Sequence, residues 1–533
     1  MPRPPPRRRI ALLVAVLLPA CDAPNGDPPA GVPATGRGAY ALTLGEDLVR
    51  HAAVVPPDSV LLEGIADAVD FRQREDFDRV LDAWEPGELL EHATLTQLAI
   101  DRGVFDLETL FVAGDELFEY EFRPENGLGN GLGALGESAA GAGPAPNLRR
   151  VHDGEFGGPD SFGCSTCHLK GGPDGAGNRT QNVFLRGDGH SSLSADERNP
   201  PQVIGLGPIQ ALAQEMSRHL QEQRDAVAAQ AATQGTPAEV ALETKGVSFG
   251  TLVAAPDGSF DASGVAGIDP DLVVRPFGWK GHKATLRGFA RESFRINLGL
   301  ISMPDQEAVR DGLLDPADYG QGEDWYDLDA DGTAIEIEDG MLTTIVAYLA
   351  QLETPVIRPP TTSRLLDYFA RGSGLFEDVD CATCHPPYLE LIDPVIRTRP
   401  ESTTYADRPA IEIDVAHDGE HPKIEPHNVI ETGYNVWLYS DLKRHDMGPG
   451  LAAPSDHGQI RASVWLTRPL WGLAETAPYL HDGRAPTVDD AIRMHGGEAE
   501  AARDAYHALL EDDRKAVQIY LLSLTREPKL SVP

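Results

Sequence analysis

Two short stretches of the chain carry the same reactive pattern, C-x-x-C-H. The first consists of Cys164, Cys167 and His168, and the second of Cys381, Cys384 and His385. Two thiols at this spacing add across the two vinyl groups of a haem, and the adjacent imidazole becomes an axial ligand of the iron. The pattern therefore predicts two covalently attached haem c groups.

Two other uses of paired cysteines are less favoured. A zinc site built from two such pairs usually has them within a few tens of residues, whereas about 200 residues separate them here. A redox dithiol is expected in a βαβ setting, which the sequence around neither pair predicts.

The N-terminus predicts export. A basic stretch, MPRPPPRRR, precedes an apolar run, IALLVAVLLPA, which ends at Cys21 and is too short to cross a membrane as a mature helix. LPAC resembles the lipobox of bacterial lipoproteins, so residues 1–20 are expected to be removed and Cys21 to be acylated. An ordinary secretory signal with an incidental cysteine is the alternative. Export suits c-type haem, which is attached outside the bacterial cytoplasm, and we expect a lipid-anchored protein on the periplasmic face.

The charge of the chain limits its partners. The formal net charge is −38 over 533 residues, which argues against nucleic acid, because phosphates are bound by Lys and Arg. An acidic surface suits a basic redox protein, for which a small cytochrome or a cupredoxin is the expectation. The protein is expected to contact the membrane through its lipid anchor only.

The rest of the chain predicts a mainly α fold with long irregular loops, since it contains 54 Gly and 43 Pro. Residues 21–39 read as a flexible linker and 40–110 as a helical N-terminal extension. Two tandem cytochrome c-like helical haem domains are expected over residues 111–355 and 356–533. An amphipathic segment precedes each C-x-x-C-H motif, GDELFEYEF before the first and SRLLDYFARGSGLF before the second.

A weak internal repeat follows each haem motif. When Gly281 is aligned with Gly483, Thr285 falls on Thr487 and Trp279 on His481. Eight residues beyond each threonine stand Ser293 in the first half and His495 in the second.

This difference predicts that the two irons are not equivalent. The second haem would be closed by His385 and His495, whereas the first, on His168, would keep an open side where a small molecule can bind. A helix-end histidine facing solvent is the alternative for His495. Other candidate ligands are Met447 and Met494 for the second haem and His190 and His219 for the first.

Several stretches resemble the di-haem oxidoreductases related to bacterial di-haem cytochrome c peroxidases. They are RNPPQVIGLG, FGWKGHKATL, DLKRHDMGPGLA, RPLWGLAETAPYLHDGRAPTVDDAI and HGGEA. The resemblance covers roughly residues 110–525. It implies two packed cytochrome c domains, with peroxide reduced at the N-terminal haem and electrons delivered through the C-terminal haem.

The resemblance also bears on two residues between and beside the haems. Trp279 occupies the position of a tryptophan that lies between the haems, with a buried aromatic plug as the alternative role. Asn297 is the nearest match to the acid–base glutamate of the peroxidases, and an amide cannot transfer a proton as a carboxylate does. Glu292 and Glu215 are possible substitutes.

The stretch DLDADGTAIEIE matches a calcium-binding loop, D-x-D-x-D-G-x5-E. Its expected ligands are Asp327, Asp329, Asp331 and Glu338. A helix is expected after it, over MLTTIVAYLAQL. An Asp-rich surface turn is the alternative.

Three functions are compatible with the sequence. The first is an exported peroxidase-like di-haem oxidoreductase. The second is a non-catalytic di-haem electron-transfer protein, which the missing glutamate favours. Metal-linked redox chemistry on another substrate is the third.

Overall fold

The computed structural model describes residues 95–129, 151–153, 160–172, 174–187, 191–315, 325, 327–328, 332–333, 335–354, 356–418, 421–422, 425–426 and 433–525. The expected signal segment 1–20, Cys21, the linker 21–39 and most of the extension 40–110 lie outside these residues. So do His190, Asp329 and Asp331. None of the described helices is long and apolar enough to cross a membrane.

Ten α-helices are described. They are α1 Gln97–Asp101, α2 Leu107–Glu119, α3 Leu206–Gln234, α4 Leu286–Ser293, α5 Met303–Arg310, α6 Asp339–Gln351, α7 Ser363–Asp378, α8 Val488–Met494, α9 Glu500–Ala508 and α10 Glu511–Leu522. Of the segments expected to be helical before the C-x-x-C-H motifs, the second lies within α7, and the first lies in α2 up to Glu119 but has its last three residues, 120–122, beyond the helix. The helix expected after the Asp-rich loop is α6.

The expectation of a mainly α fold is confirmed only in part, because the helices are joined by many short strands. They are β1 Val151–Asp153, β2 Val183–Gly187, β3 Asp196–Arg198, β4 Ala238–Thr244, β5 Val247–Ala254, β6 Phe260–Asp261, β7 Val356–Ile357, β8 Leu389–Leu391, β9 Val395–Thr398, β10 Ile411–Asp414, β11 His417–Asp418, β12 His421–Pro422, β13 Glu425–Pro426, β14 Tyr434–Val436, β15 Arg444–Asp446, β16 Val464–Leu466 and β17 Leu524–Thr525.

These strands pair in sheets of two or three. The sheet orders are β1-β2-β3, β4-β5-β6, β13-β14-β8, β10-β9, β11-β12, β15-β16 and β17-β7. The longest pair is the hairpin of β4 and β5, whose turn residues Lys245 and Gly246 both have positive φ angles. This geometry is typical of a tight two-residue hairpin turn. The architecture is therefore mixed, with helices joined by small sheets.

The helix before each C-x-x-C-H motif crosses a later helix at a glycine. A Cβ atom on Gly114 of α2 would lie 2.4 Å from the Cβ of Tyr348 and 2.7 Å from the carbonyl oxygen of Thr344, both in α6. A Cβ atom on Gly372 of α7 would lie 2.0 Å from the carbonyl oxygen of Ala516 in α10. Both helix pairs therefore approach backbone to backbone, which only glycine permits.

The aromatic rings beside these crossings also correspond. The ring of Phe118, four residues after Gly114, lies 5.6 Å from the ring of Tyr348. The ring of Phe376, four residues after Gly372, lies 5.6 Å from that of Tyr520. The two halves thus share one helix-pair design.

The turn-and-helix repeat expected from the sequence has the same local structure in both halves. Backbone bridges join Phe277 to Lys283 and Tyr479 to Ala485, at corresponding positions of the repeat. Each bridge is followed by a threonine whose hydroxyl accepts from a backbone N–H and caps a helix, Thr285 for α4 and Thr487 for α8.

Two large apolar cores hold these elements. One contains residues from Leu95 to Trp471, and the other residues from Phe376 to Leu524. Strands β8, β9, β10 and β14 contribute to the first of these cores although they follow the second C-x-x-C-H motif.

Candidate haem sites

The two C-x-x-C-H motifs adopt the same tight turn. The backbone N–H of His168 donates to the carbonyl of Cys164 at 3.1 Å, and that of His385 donates to the carbonyl of Cys381 at 2.9 Å. Each turn brings the two cysteines and the histidine of its motif close together along the chain.

Backbone carbonyls hold the ring of each histidine. The Nδ1 of His385 donates to the carbonyl of Tyr439 at 2.7 Å, and the Nδ1 of His168 lies 3.3 Å from the carbonyl of Gly175. Burial lowers the pKa of each imidazole to about 4, and this effect outweighs the hydrogen bonds to backbone carbonyls, which raise the pKa. Both rings are therefore neutral at pH 7, as an iron ligand must be.

A cavity of about 560 Å³ opens beside the second motif, within the 300–1,000 Å³ range of ligand sites. Cys381, Cys384 and His385 line one part of it, and His495 lines another. A charge on His495 lowers the pKa of His385, so the two rings lie within electrostatic reach. Most of the other lining residues are apolar.

His495 is held by its own helix. Its Nδ1 donates to the carbonyl of Ala491 at 2.7 Å, and burial lowers its pKa. Since Nδ1 is occupied, Nε2 is the nitrogen left to bind a metal. Ser293, at the matching place in α4, bonds the carbonyl of Phe289 at 2.9 Å instead. These residues fit a haem with two protein ligands at the second site.

The rival ligands differ in their surroundings. Met447 lines the same cavity as His385. Met494 does not line it and is 37% exposed. His219 lies on α3, where its Nδ1 is 3.1 Å from the hydroxyl of Thr244.

The thiols themselves argue against a redox dithiol. Burial raises the pKa of Cys164 and of Cys381 to about 12, whereas reactive dithiols have lowered thiol pKa values. Among the described residues, Cys384, Asp441 and His445 form the only group of three potential ligands close enough to share a metal ion. The two cysteine pairs therefore do not meet in one zinc site.

Trp279 lies on the chain connection between the two motifs. Its Nε1 donates to the carbonyl of Asn199 at 2.8 Å, and both residues line the cavity of the second motif. Pro201, two residues after Asn199, also lines that cavity, and its backbone hydrogen-bonds to the ring of His168. The segment 199–201 thus touches the first site on one side and Trp279 on the other.

The two glutamates considered as proton donors are both engaged. Glu215 pairs with Lys245 at 2.6 Å and accepts from the backbone of Ile392 and Asp393. Burial disfavours the ionised form of Glu292, but the hydrogen bond from His282 and the charges of His282 and Lys283 outweigh it and lower its pKa to about 2.

Asn297 lies in a π-helical turn, Phe294–Leu298. Its carbonyl accepts from the backbone of Asp160 at 2.7 Å. Such turns are frequent at functional sites, so the residue predicted to match the peroxidase acid lies on an unusual backbone.

Within the Asp-rich loop, the described residues give part of the expected calcium site. The backbone N–H of Gly332 donates to Asp327 at 3.2 Å. The carboxylate of Glu338 accepts from the backbone of Gln97 at 2.9 Å, from the backbone of Gly340 and from the hydroxyl of Tyr405 at 2.8 Å. Glu338 therefore caps α6, and a calcium ion would have to compete with these donors.

Sequence reasoning missed a cluster of charged and aromatic side chains near Trp279. Lys280 is buried, donates to three backbone carbonyls and lies 3.5 Å from the ring centroid of Trp465. The ring of His481 stacks on Trp465 at 3.9 Å. The guanidinium of Arg468 lies 5.3 Å from the ring centroid of Trp279. No spacing rule along the chain points to these contacts.

Comparison with known proteins identifies the family. Residues 242–524 match the family model described as "Di-haem oxidoreductase, putative peroxidase". The chain belongs to this family. The resemblance inferred from the sequence motifs is thereby confirmed, and the family implies haem cofactors and an oxidoreductase activity.

Similarity to individual proteins is much weaker. No curated protein matches. A MauG-like protein associated with microbial copper homeostasis is 16% identical, with a TM-score of 0.27, over 51% of this chain and 78% of that one. The hydrazine synthase of Kuenenia stuttgartiensis is 19% identical, with a TM-score of 0.20, over 35% of this chain and 56% of that one. Likenesses this partial carry no functional argument.

Proposed function

We propose that this chain is an exported di-haem c-type cytochrome oxidoreductase of the peroxidase type, built on two cytochrome c-like domains. Covalently bound haem would supply the redox chemistry, with peroxide reduced at the N-terminal site and electrons delivered through the C-terminal site. The observation that carries the proposal is the segment 199–201, which contacts His168 and also holds Trp279 against the cavity of His385.

The chain's own residues divide the work between the two sites. His385 and His495 would close the second site, since both rings are neutral and anchored through Nδ1. His168 would bind at the first site, where the repeat offers Ser293 in place of a second histidine. Trp279 would lie on the route between them.

Location and partners belong to the same proposal. Removal of residues 1–20 and acylation of Cys21 would anchor the protein at the periplasmic face of an envelope membrane. The net charge of −38 supports a basic cytochrome or cupredoxin as electron donor.

Steady-state turnover tests the enzymatic part. Purified holoprotein is mixed with a reduced small cytochrome and hydrogen peroxide, and oxidation of the cytochrome is followed by absorbance. Peroxide-dependent oxidation is expected, and it should be lost in Cys381→Ser/Cys384→Ser, which cannot attach the second haem. Oxidation that continues at the wild-type rate in this variant would contradict electron delivery through the second site.

A non-catalytic electron-transfer protein is the second candidate. It is favoured by the paired states of Glu215 and Glu292 and by Asn297 at the expected acid position. Such a protein would pass electrons between partners without consuming peroxide in the same assay.

Calcium binding is a separate proposal for the Asp-rich loop, with Asp327, Asp329, Asp331 and Glu338 as ligands. Added Ca²⁺ should raise the melting temperature of chelator-treated protein, since a ligand that binds only the folded state stabilises it. Asp327→Asn should remove this rise. An equal rise in both proteins would show that calcium binds elsewhere.

A further inference from the structure

Arg468 is a half-buried arginine for which the described residues provide no anionic partner. Its side chain lines the cavity of the second motif, and burial lowers its pKa to about 10, so it is charged at pH 7. Among the described residues, its guanidinium contacts the ring of Trp279, with 5.3 Å between the guanidinium carbon and the ring centroid. Because this charge lies on the wall of the cavity, away from bulk water, it favours an anionic group of whatever molecule fills the cavity.

The other arginine of the cavity differs in this respect. Arg503 pairs with Glu500 and Asp504, both at 2.8–2.9 Å, and donates to the carbonyl of His495 at 2.9 Å. Its charge is therefore compensated within the protein. Arg468 and Arg503 line the same cavity, and only Arg468 is left to bind an anion in it.

We propose that Arg468 is the carboxylate-binding residue of this cavity and holds a propionate group of the haem, an inference that rests on the proposed function. A haem has its two carboxylates on the edge opposite its vinyl groups, and Cys381 and Cys384 would hold the vinyl groups. A guanidinium binds a carboxylate through two parallel hydrogen bonds. Arg468 would thereby hold a haem carboxylate in the part of the cavity that Trp279 lines.

This assignment gives Arg468 an electrostatic role. A guanidinium beside a carboxylate keeps it ionised, because the opposite charge lowers its pKa. The positive charge also favours the reduced haem, which has one positive charge fewer than the oxidised form. Loss of Arg468 should lower the reduction potential of the second haem and make that potential vary with pH as the carboxylate titrates.

The test uses the holoprotein and three variants, Arg468→Met, Arg468→Lys and Arg461→Met. Arg461 is the matched control, since it lies in the connection between β15 and β16, is 69% exposed and pairs with Asp446 outside this cavity. Covalent haem is counted first, by mass spectrometry. The propionate bending band is then measured by resonance Raman spectroscopy, and the potential of the second haem by spectroelectrochemistry from pH 6 to 9.

The expected result is two haems in every variant, with a shifted propionate band and a lower, pH-dependent potential in Arg468→Met. Arg468→Lys should shift the band while keeping most of the potential, because it retains the charge but not the planar fork. Arg461→Met should match the wild type.

Two outcomes would count against the assignment, and they are distinguishable. If Arg468→Met holds two haems with the wild-type band and potential, Arg468 serves only to pack against Trp279, and the inference is overturned. If the wild type itself carries no covalent haem, the proposed function fails, and the inference falls with it.

Discussion

The crossing of α7 and α10 gives the sharpest structural prediction. A Cβ atom at Gly372 would lie 2.0 Å from the carbonyl oxygen of Ala516, 2.5 Å from its carbonyl carbon and 2.9 Å from the Cβ of Tyr520. None of these atoms can rotate away, so Gly372→Ala must push the helices apart. Such overpacking costs about 1–3 kcal/mol, offset by about 1 kcal/mol from the better helix propensity of Ala.

Gly374, two residues further along the same helix, provides the matched control. A Cβ atom there would meet nothing within 4 Å. Gly374→Ala should therefore stabilise the protein by about 0.4–1 kcal/mol, whereas Gly372→Ala should destabilise it by up to about 2 kcal/mol once the gain in helix propensity is subtracted. For a domain of 150–250 residues, each kcal/mol moves the melting temperature by about 2–4 °C.

Thermal unfolding of the holoprotein measures the difference, followed by circular dichroism and by haem absorbance. The two variants should move the melting temperature in opposite directions, with Gly372→Ala several degrees below Gly374→Ala. Equal melting temperatures, or a more stable Gly372→Ala, would refute the close helix contact on which the second site is built.

Three further changes test other parts of the account. Burial, and to a smaller extent the charge of Asp174, raises the pKa of Glu119 from 4.5 to about 7. Between these two pH values the folded protein keeps a proton that the unfolded chain releases, so the free energy of unfolding should fall as pH rises from about 4.5 to 7. Glu119→Gln should flatten this fall, which urea titrations at several pH values measure. Trp279→Phe removes the hydrogen bond to Asn199. It should slow electron transfer between the haems, measured by stopped flow, without changing the haem content. An unchanged rate would leave Trp279 as a packing residue. Glu215→Gln breaks the buried ion pair with Lys245, in which the side chain of Glu215 is 4% exposed and that of Lys245 is 6% exposed. The free energy of unfolding should fall by about 3–5 kcal/mol, while the pH dependence of peroxide turnover stays unchanged. A changed pH profile would make Glu215 a proton donor.

The helices that support the sites could be predicted because their pattern is local. The apolar positions of α2, α6 and α7 recur at helical spacing, and all three helices are found where the sequence indicated them. The repeat around Thr285 and Thr487 was also readable, since a turn glycine and a capping threonine leave a trace in the sequence.

The small sheets were missed because most of their strands have only two to five residues. Such strands are too short to show an alternation of apolar and polar residues. The exception is β4 and β5, where burial alternates and a Lys245-Gly246 turn joins the strands. That hairpin signal was present in the sequence and favoured strands over helix.

Pairing between distant charges could not be predicted at all. Glu292 reads as a free acid in the sequence, yet His282 and Lys283 contact its carboxylate. Arg468 has the sequence context of an ordinary loop arginine, and its contact with Trp279 follows only from the way the segment after β16 packs against the first half. Partners of this kind are set by the tertiary fold and not by spacing.

The central claim is that the chain holds two unequal haem sites, the second closed by His385 and His495 and the first open. Low-temperature EPR of the ferric holoprotein, before and after hydrogen peroxide, tests it most directly, with His495→Ala as the comparison. One high-spin and one low-spin signal are expected in the wild type, with peroxide removing the high-spin signal, and His495→Ala should convert the low-spin signal to high spin. Two low-spin signals that do not respond to peroxide would contradict the claim and leave a di-haem electron carrier.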